Sequence, residues 1–66
     1  MNDKKEKSMK TYYIYRIEDG TKYGVGTLIN KVEGLRAAKY FTKLYRMGNT
    51  TRAWYQLRDK RGNILL

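Results

Sequence analysis

Three runs of the sequence predict one small α+β domain, with two strands, a helix and two further strands. Residues 11–18 (Thr-Tyr-Tyr-Ile-Tyr-Arg-Ile-Glu) form the densest stretch of β-branched and aromatic side chains, the composition that suits a pleated, half-buried strand. Residues 31–47 carry apolar and small residues at helical spacing. Residues 51–58 alternate and are followed by Asp59-Lys-Arg-Gly62, a turn signature with Asp first and Gly last. The chain has sixty-six residues, room for one domain near the lower limit of what a hydrophobic core sustains alone.

The first strand is followed by Asp19-Gly20 and a second apolar run over residues 22–28, which reads as a hairpin. A three-residue loop with Gly20 left-handed sets Ile17 against Thr21, Tyr15 against Tyr23 and Tyr13 against Val25. One face then gathers Tyr13, Tyr15, Ile17, Tyr23 and Val25 as core. The other presents Tyr12, Ile14, Arg16, Lys22, Gly24 and Gly26.

Asn30 is a suitable N-cap, and Glu33 three residues on completes a capping box, so the helix is expected from Asn30 to about Met47. Gly48-Asn49 supplies a left-handed stop. Gly34, Ala37, Ala38, Phe41, Leu44 and Tyr45 fall on one broad stripe, its small members allowing close approach to the sheet. Arg36, Lys39, Lys43 and Arg46 form a continuous basic stripe in a segment whose single acid is Glu33. A solvated face built for i,i+4 pairing mixes both signs.

In the third strand, Ala53, Tyr55 and Leu57 face one side while Arg52, Trp54, Gln56 and Arg58 face the other. Residues 63–66 (Asn-Ile-Leu-Leu) return as a short fourth strand. The hairpin and the helical return place the first strand centrally, giving a ββαββ sheet of order 2-1-3-4 with the helix on one face. Residues 1–9 hold no apolar residue between the two methionines and are expected to be a disordered basic tail, with Met9 a candidate second start. The folded domain is expected over residues 10–66.

Charge carries the functional expectation. Fifteen Lys and Arg against six Asp and Glu give +9, a field that favours polyanions. With neither Cys nor His, disulfides, thiolate chemistry and most transition-metal sites are excluded, and no metal or other cofactor is expected. Apart from Glu33 at the helix start, the acids are grouped at turns or in the tail, and they supply no acid–base pair. The short apolar runs leave no membrane span, and a cytoplasmic chain is the default expectation.

Tyr13 and Tyr23 on paired strands, followed by Arg36 on the helix, resemble the opening of GIY-YIG nucleases, where strand tyrosines precede a helix bearing a catalytic arginine. That resemblance implies the same roles for Tyr13, Tyr23 and Arg36. It covers residues 13–36, and Tyr23-Gly-Val-Gly departs from the family's Tyr-Ile-Gly. A later glutamate on a second helix, which the family uses to bind metal, has no counterpart. The expected protein is therefore not an enzyme.

The leading expectation is a regulatory module that binds DNA or RNA. Its contacts would come from Tyr12, Arg16, Lys22, Arg52, Trp54, Gln56 and Arg58 on the open sheet face, or from Arg36, Lys39, Lys43 and Arg46 on the helix. Aromatics among cations suit this task, since rings stack on bases while cations neutralise phosphates. The alternative is a phage- or mobile-element-type module that docks on an acidic protein surface and inhibits or modulates its owner. The aliphatic end, Ile64-Leu65-Leu66, suggests a homodimer through Ile64 and Leu66.

Overall fold

The computed structural model describes residues 10–18 and 26–66. These form strands β1 (Thr11–Ile17) and β2 (Thr27–Glu33), helix α1 (Leu35–Met47) and strand β3 (Trp54–Arg58). β1 lies at the centre of a three-stranded antiparallel sheet of order β2-β1-β3, and α1 packs on one face. This is a small ββαβ, α+β domain.

The expected fourth strand is reduced to an isolated bridge between Arg58 and Ile64. The Leu65 amide donates to the Leu57 carbonyl at 2.7 Å, and the Leu57 amide donates to the Leu66 carbonyl at 3.5 Å. The turn before this segment follows its sequence signature. The Gly62 amide donates to the Asp59 carbonyl at 3.0 Å, and Gly62 takes φ 90°, a conformation that favours glycine. Residues 64–66 thus run beside β3 through one bridge and two hydrogen bonds and do not form a strand of their own.

The hairpin register differs from expectation. Tyr13 pairs with Lys31, Tyr15 with Leu28 and Arg16 with Thr27, with a bulge between Ile14 and Tyr15. The second strand therefore starts later in the chain and continues through Asn30 and Glu33. The proposed turn at residues 19–20, together with Lys22, Tyr23, Gly24 and Val25, lies outside the described residues. Asn30 and Glu33 are strand residues and not the ends of a capping box. Gly34, expected within the helix, is its N-cap at φ 91° with no side-chain cap. It turns the chain from strand to helix, and its amide donates to the Lys10 carbonyl at 2.8 Å.

The face of β1 that the helix covers is also the opposite of the expected one, although Ile17, expected in the core, is buried on the other side. The core cluster joins Ile14, Val32, Leu57 and Ala38, with Tyr12, Ala37, Tyr45 and Leu66 packed around it. Aliphatic side chains from all three strands thus meet beneath the helix. Tyrosines in those places would each bring a hydroxyl that needs a partner. The phase of β3 is as expected, with Ala53, Tyr55 and Leu57 buried.

Helix α1 turns Ala38 and Thr42 into the core, and the Thr42 hydroxyl donates to the Ala38 carbonyl at 2.8 Å. Tyr45 stacks on Tyr55 with ring centroids 5.2 Å apart. Phe41 and Leu44, expected on the buried stripe, are exposed. The helix ends where expected, but Gly48 has φ −86°, so its stop is not left-handed. The Gly48 amide bonds back to the Leu44 carbonyl at 3.1 Å, which closes the last turn.

Candidate nucleic-acid interface

Strand alternation places Tyr13, Tyr15 and Ile17 on the sheet face away from α1. The register sets them beside Arg58, Gln56 and Trp54 of β3, and sets Tyr13 and Tyr15 beside Lys31 and Leu28 of β2. One row across the sheet therefore reads Lys31–Tyr13–Arg58, and the next Leu28–Tyr15–Gln56. Glu33 lies one row further out, opposite Thr11.

The eleven residues expected to make contacts are dispersed. Tyr12 and Arg16 lie on the helix-covered face, a correction that follows from the β1 phase. Lys22 lies outside the described residues. Trp54, Gln56 and Arg58 belong to the far face as expected, but Gln56 is only 1% exposed. With Ile17 equally buried, the middle of this face is packed, and its accessible part is the Lys31–Tyr13–Arg58 row, Leu28 at the β2 side, and the flank at Trp54 and Arg52. Arg52, Arg36 and Lys43 are exposed, and Lys39 is half-buried. Tyr13 and Arg36 occupy opposite sides of the domain and do not form the constellation that the nuclease resemblance implied.

Among the described residues, three arginines are engaged within the chain, each on a tyrosine or tryptophan. Arg16 donates from Nε to Glu18 Oε2 at 2.7 Å and from Nη1 to the Tyr55 hydroxyl at 2.8 Å. The bond to Glu18 is the main cause holding its pKa above the ordinary arginine value. Arg46 leaves the helix to donate from Nε and Nη2 to the Tyr55 carbonyl at 2.9 and 2.6 Å. Its guanidinium lies 4.1 Å from the Trp54 ring centroid, and partial burial lowers its pKa. Arg58 lies 4.1 Å over the Tyr15 ring and donates from Nε to Gln56 Oε1.

A guanidinium stacked on a ring keeps its outer plane and edge N–H groups for a ligand. Arg58 over Tyr15 is thus a composite platform: the outer plane can stack a base, and the edge can reach a phosphate. The carboxylates of the described residues neutralise few of these cations. Among the described residues the ion pair is Arg16–Glu18, and Asp59 is occupied by its own turn. Its Oδ1 accepts from the Arg61 and Asn63 amides, both at 2.9 Å, and its Oδ2 from Asn63 Nδ2 at 3.0 Å.

Tyr13, Tyr15 and Lys31 are the members of this surface that sequence reasoning missed. The signal for the tyrosines was the phase of β1: choosing aliphatic Ile14 for the core brings both to the far face, whereas Lys31 joins them only because residues 27–33 pair with β1. No helix among the described residues is long and apolar enough to cross a membrane. The chain matches no family model, no curated protein and no solved structure in the comparisons made.

Proposed function

We propose that this chain is a small non-catalytic module that binds nucleic acid through the sheet face opposite the helix, in a regulatory role. The observation that carries the reading is the row Lys31–Tyr13–Arg58, in which cations flank an aromatic ring and one guanidinium is already stacked on the neighbouring Tyr15. Phosphates would be met by Lys31, Arg58 and Arg52, and bases by Tyr13 and the Arg58 plane. The +9 charge would raise the encounter rate with any polyanion.

Fluorescence anisotropy with short single-stranded RNA, single-stranded DNA and duplex DNA tests this. Three phosphate contacts on a single strand give a log–log salt slope of about −2, so affinity falls roughly 20-fold between 50 and 200 mM salt. Lys31→Ala should flatten that slope by about 0.7. Tyr13→Ala should weaken single-strand binding by about 1–3 kcal/mol, the worth of one stacked base. If none of the three probes binds at 50 mM salt, the proposal fails. If binding survives both substitutions and is lost on removing Arg36 and Lys43, the sheet face is not the contact surface.

A further inference from the structure

Helix α1 has three sides. Ala38, Thr42 and Tyr45 face the sheet; Lys39, Arg46, Lys43 and Arg36 run along the flank nearer β3, where Arg46 reaches the Tyr55 carbonyl. The third side, facing solvent, is apolar. Tyr40, Leu44 and Met47 follow one another at spacings of four and three residues, and so share one face. Phe41 adjoins them, its ring edge-to-face with Tyr40 at 5.5 Å. Met47 is 80% exposed, Tyr40 59%, Leu44 42% and Phe41 40%. Apolar residues scattered singly over a surface need no explanation, whereas a contiguous strip bordered by charge marks an interaction site.

We infer that this outer face of α1 is a docking site for an acidic amphipathic helix of a partner protein. The strip offers what such a segment needs: apolar anchors at helical spacing, beside a row of cations that would pair with acids on one flank of the partner. Arg36 and Lys43 are exposed and border Tyr40 and Met47 on the helix surface. The charge of the flank selects the occupant.

A second copy fits poorly, because each carries +9. An antiparallel two-fold crossing of the helices would also set cation flank against cation flank. Residues 1–8 of this chain offer Met1 as their one apolar side chain and three lysines against Asp3 and Glu6, so they supply neither a row of anchors nor a net opposite charge. Nucleic acid gains little from Leu44 and Met47, which offer phosphates nothing. This site lies on a different element from the proposed nucleic-acid row, and its test stands or falls separately.

The probe is a fluorescein-labelled designed helix of about 18 residues with leucines at heptad a and d positions and glutamates along one flank. A matched peptide carries lysine at the glutamate positions. The protein should bind the glutamate peptide and not the lysine peptide. Tyr40→Ala with Leu44→Ala, both on exposed positions, should weaken binding about tenfold or more, with near-UV circular dichroism confirming the fold. Arg36→Glu with Lys43→Glu should reverse the preference, losing the glutamate peptide and gaining the lysine one.

Equal affinity for both peptides, or for neither, overturns the inference. So does a dimer in sedimentation equilibrium that Leu44→Ala dissociates, which would make a second copy the occupant. Sedimentation with phosphatidylserine vesicles that is lost in the same variant would assign the strip to a membrane, and single-stranded RNA binding lost in that variant would assign it to nucleic acid. Either result overturns the inference too.

Discussion

Replacing Ile14 by alanine tests which face of β1 is the core. Ile14 is fully buried among Val32, Leu57 and Ala38. The substitution deletes three carbons, and at about 0.8 kcal/mol per buried CH2 the transfer loss is about 2.4 kcal/mol. A residual cavity of roughly 40 Å³ would add about 1 kcal/mol at 24 cal/mol per Å³. The expected cost is therefore about 3–4 kcal/mol. A domain of this length holds roughly 3–10 kcal/mol in total, so Ile14→Ala should leave it barely folded or unfolded. At about 4–8 °C per kcal/mol, the fall in Tm is on the order of 12–30 °C. Urea and thermal melts followed by far-UV circular dichroism and by Trp54 fluorescence measure it. Tyr13→Ala is the internal control, one residue away on the other face and half-buried; its cost should be about 1–2 kcal/mol. An Ile14→Ala variant that loses less than its Tyr13→Ala counterpart would show that the helix covers the other face of β1.

Two further substitutions probe the polar supports. Tyr55→Phe removes the acceptor for Arg16 Nη1 and should cost about 1 kcal/mol in urea melts, with a neutral result showing that the partly exposed bond adds nothing net. The hydrogen bonds from the Asn63 side chain and backbone, with that from the Arg61 amide, hold the Asp59 carboxyl below its usual 3.8. A depressed folded-state pKa contributes stability above the unfolded value that is lost as pH falls through the folded one. In an NMR titration the Asn63 and Arg61 amide shifts should therefore move with a midpoint below 3.8, and Asp59→Asn should abolish that movement; a midpoint at or above the ordinary value contradicts the turn.

The parts of this fold legible in the sequence were those set by local chemistry. β3 alternates cleanly, so its buried Ala53, Tyr55 and Leu57 were readable, as was the turn that begins with Asp59 and ends with Gly62. The position of β1 was evident from its composition, and the end of α1 from the residues around Met47. What failed was set by tertiary pairing. Residues 27–33 hold Asn30 and Glu33 at capping-box spacing, yet they pair with β1, and Asn30 Nδ2 instead donates to the Tyr45 hydroxyl at 3.4 Å. Local propensity cannot weigh that alternative against the gain of adding Val32 to the core. The phase error in β1 came from counting tyrosines as the richest core material, when Ile14 and Leu57 could be buried with no hydroxyl to satisfy. The candidate site inherited that error: its β3 residues were legible, its β1 and β2 residues were not. The outer strip of α1 was hidden for a related reason, since Phe41 and Leu44 looked like core residues until the smaller Ala38 and Thr42 proved to face the sheet.

The outer edge of β3 is used up twice over. Leu65 and Leu66 bond to Leu57, and the Arg46 guanidinium closes over the Tyr55 carbonyl two residues earlier. Endless edge-to-edge growth of a sheet requires each subunit to offer two open sides, because every added subunit must accept one neighbour and present itself to the next. With the outer edge of β3 taken by residues 64–66 and by a helix-borne cation, the edge strand left to pair among the named strands is β2. A sheet with one strand edge open to a neighbour favours a closed pair across β2 over a growing fibre.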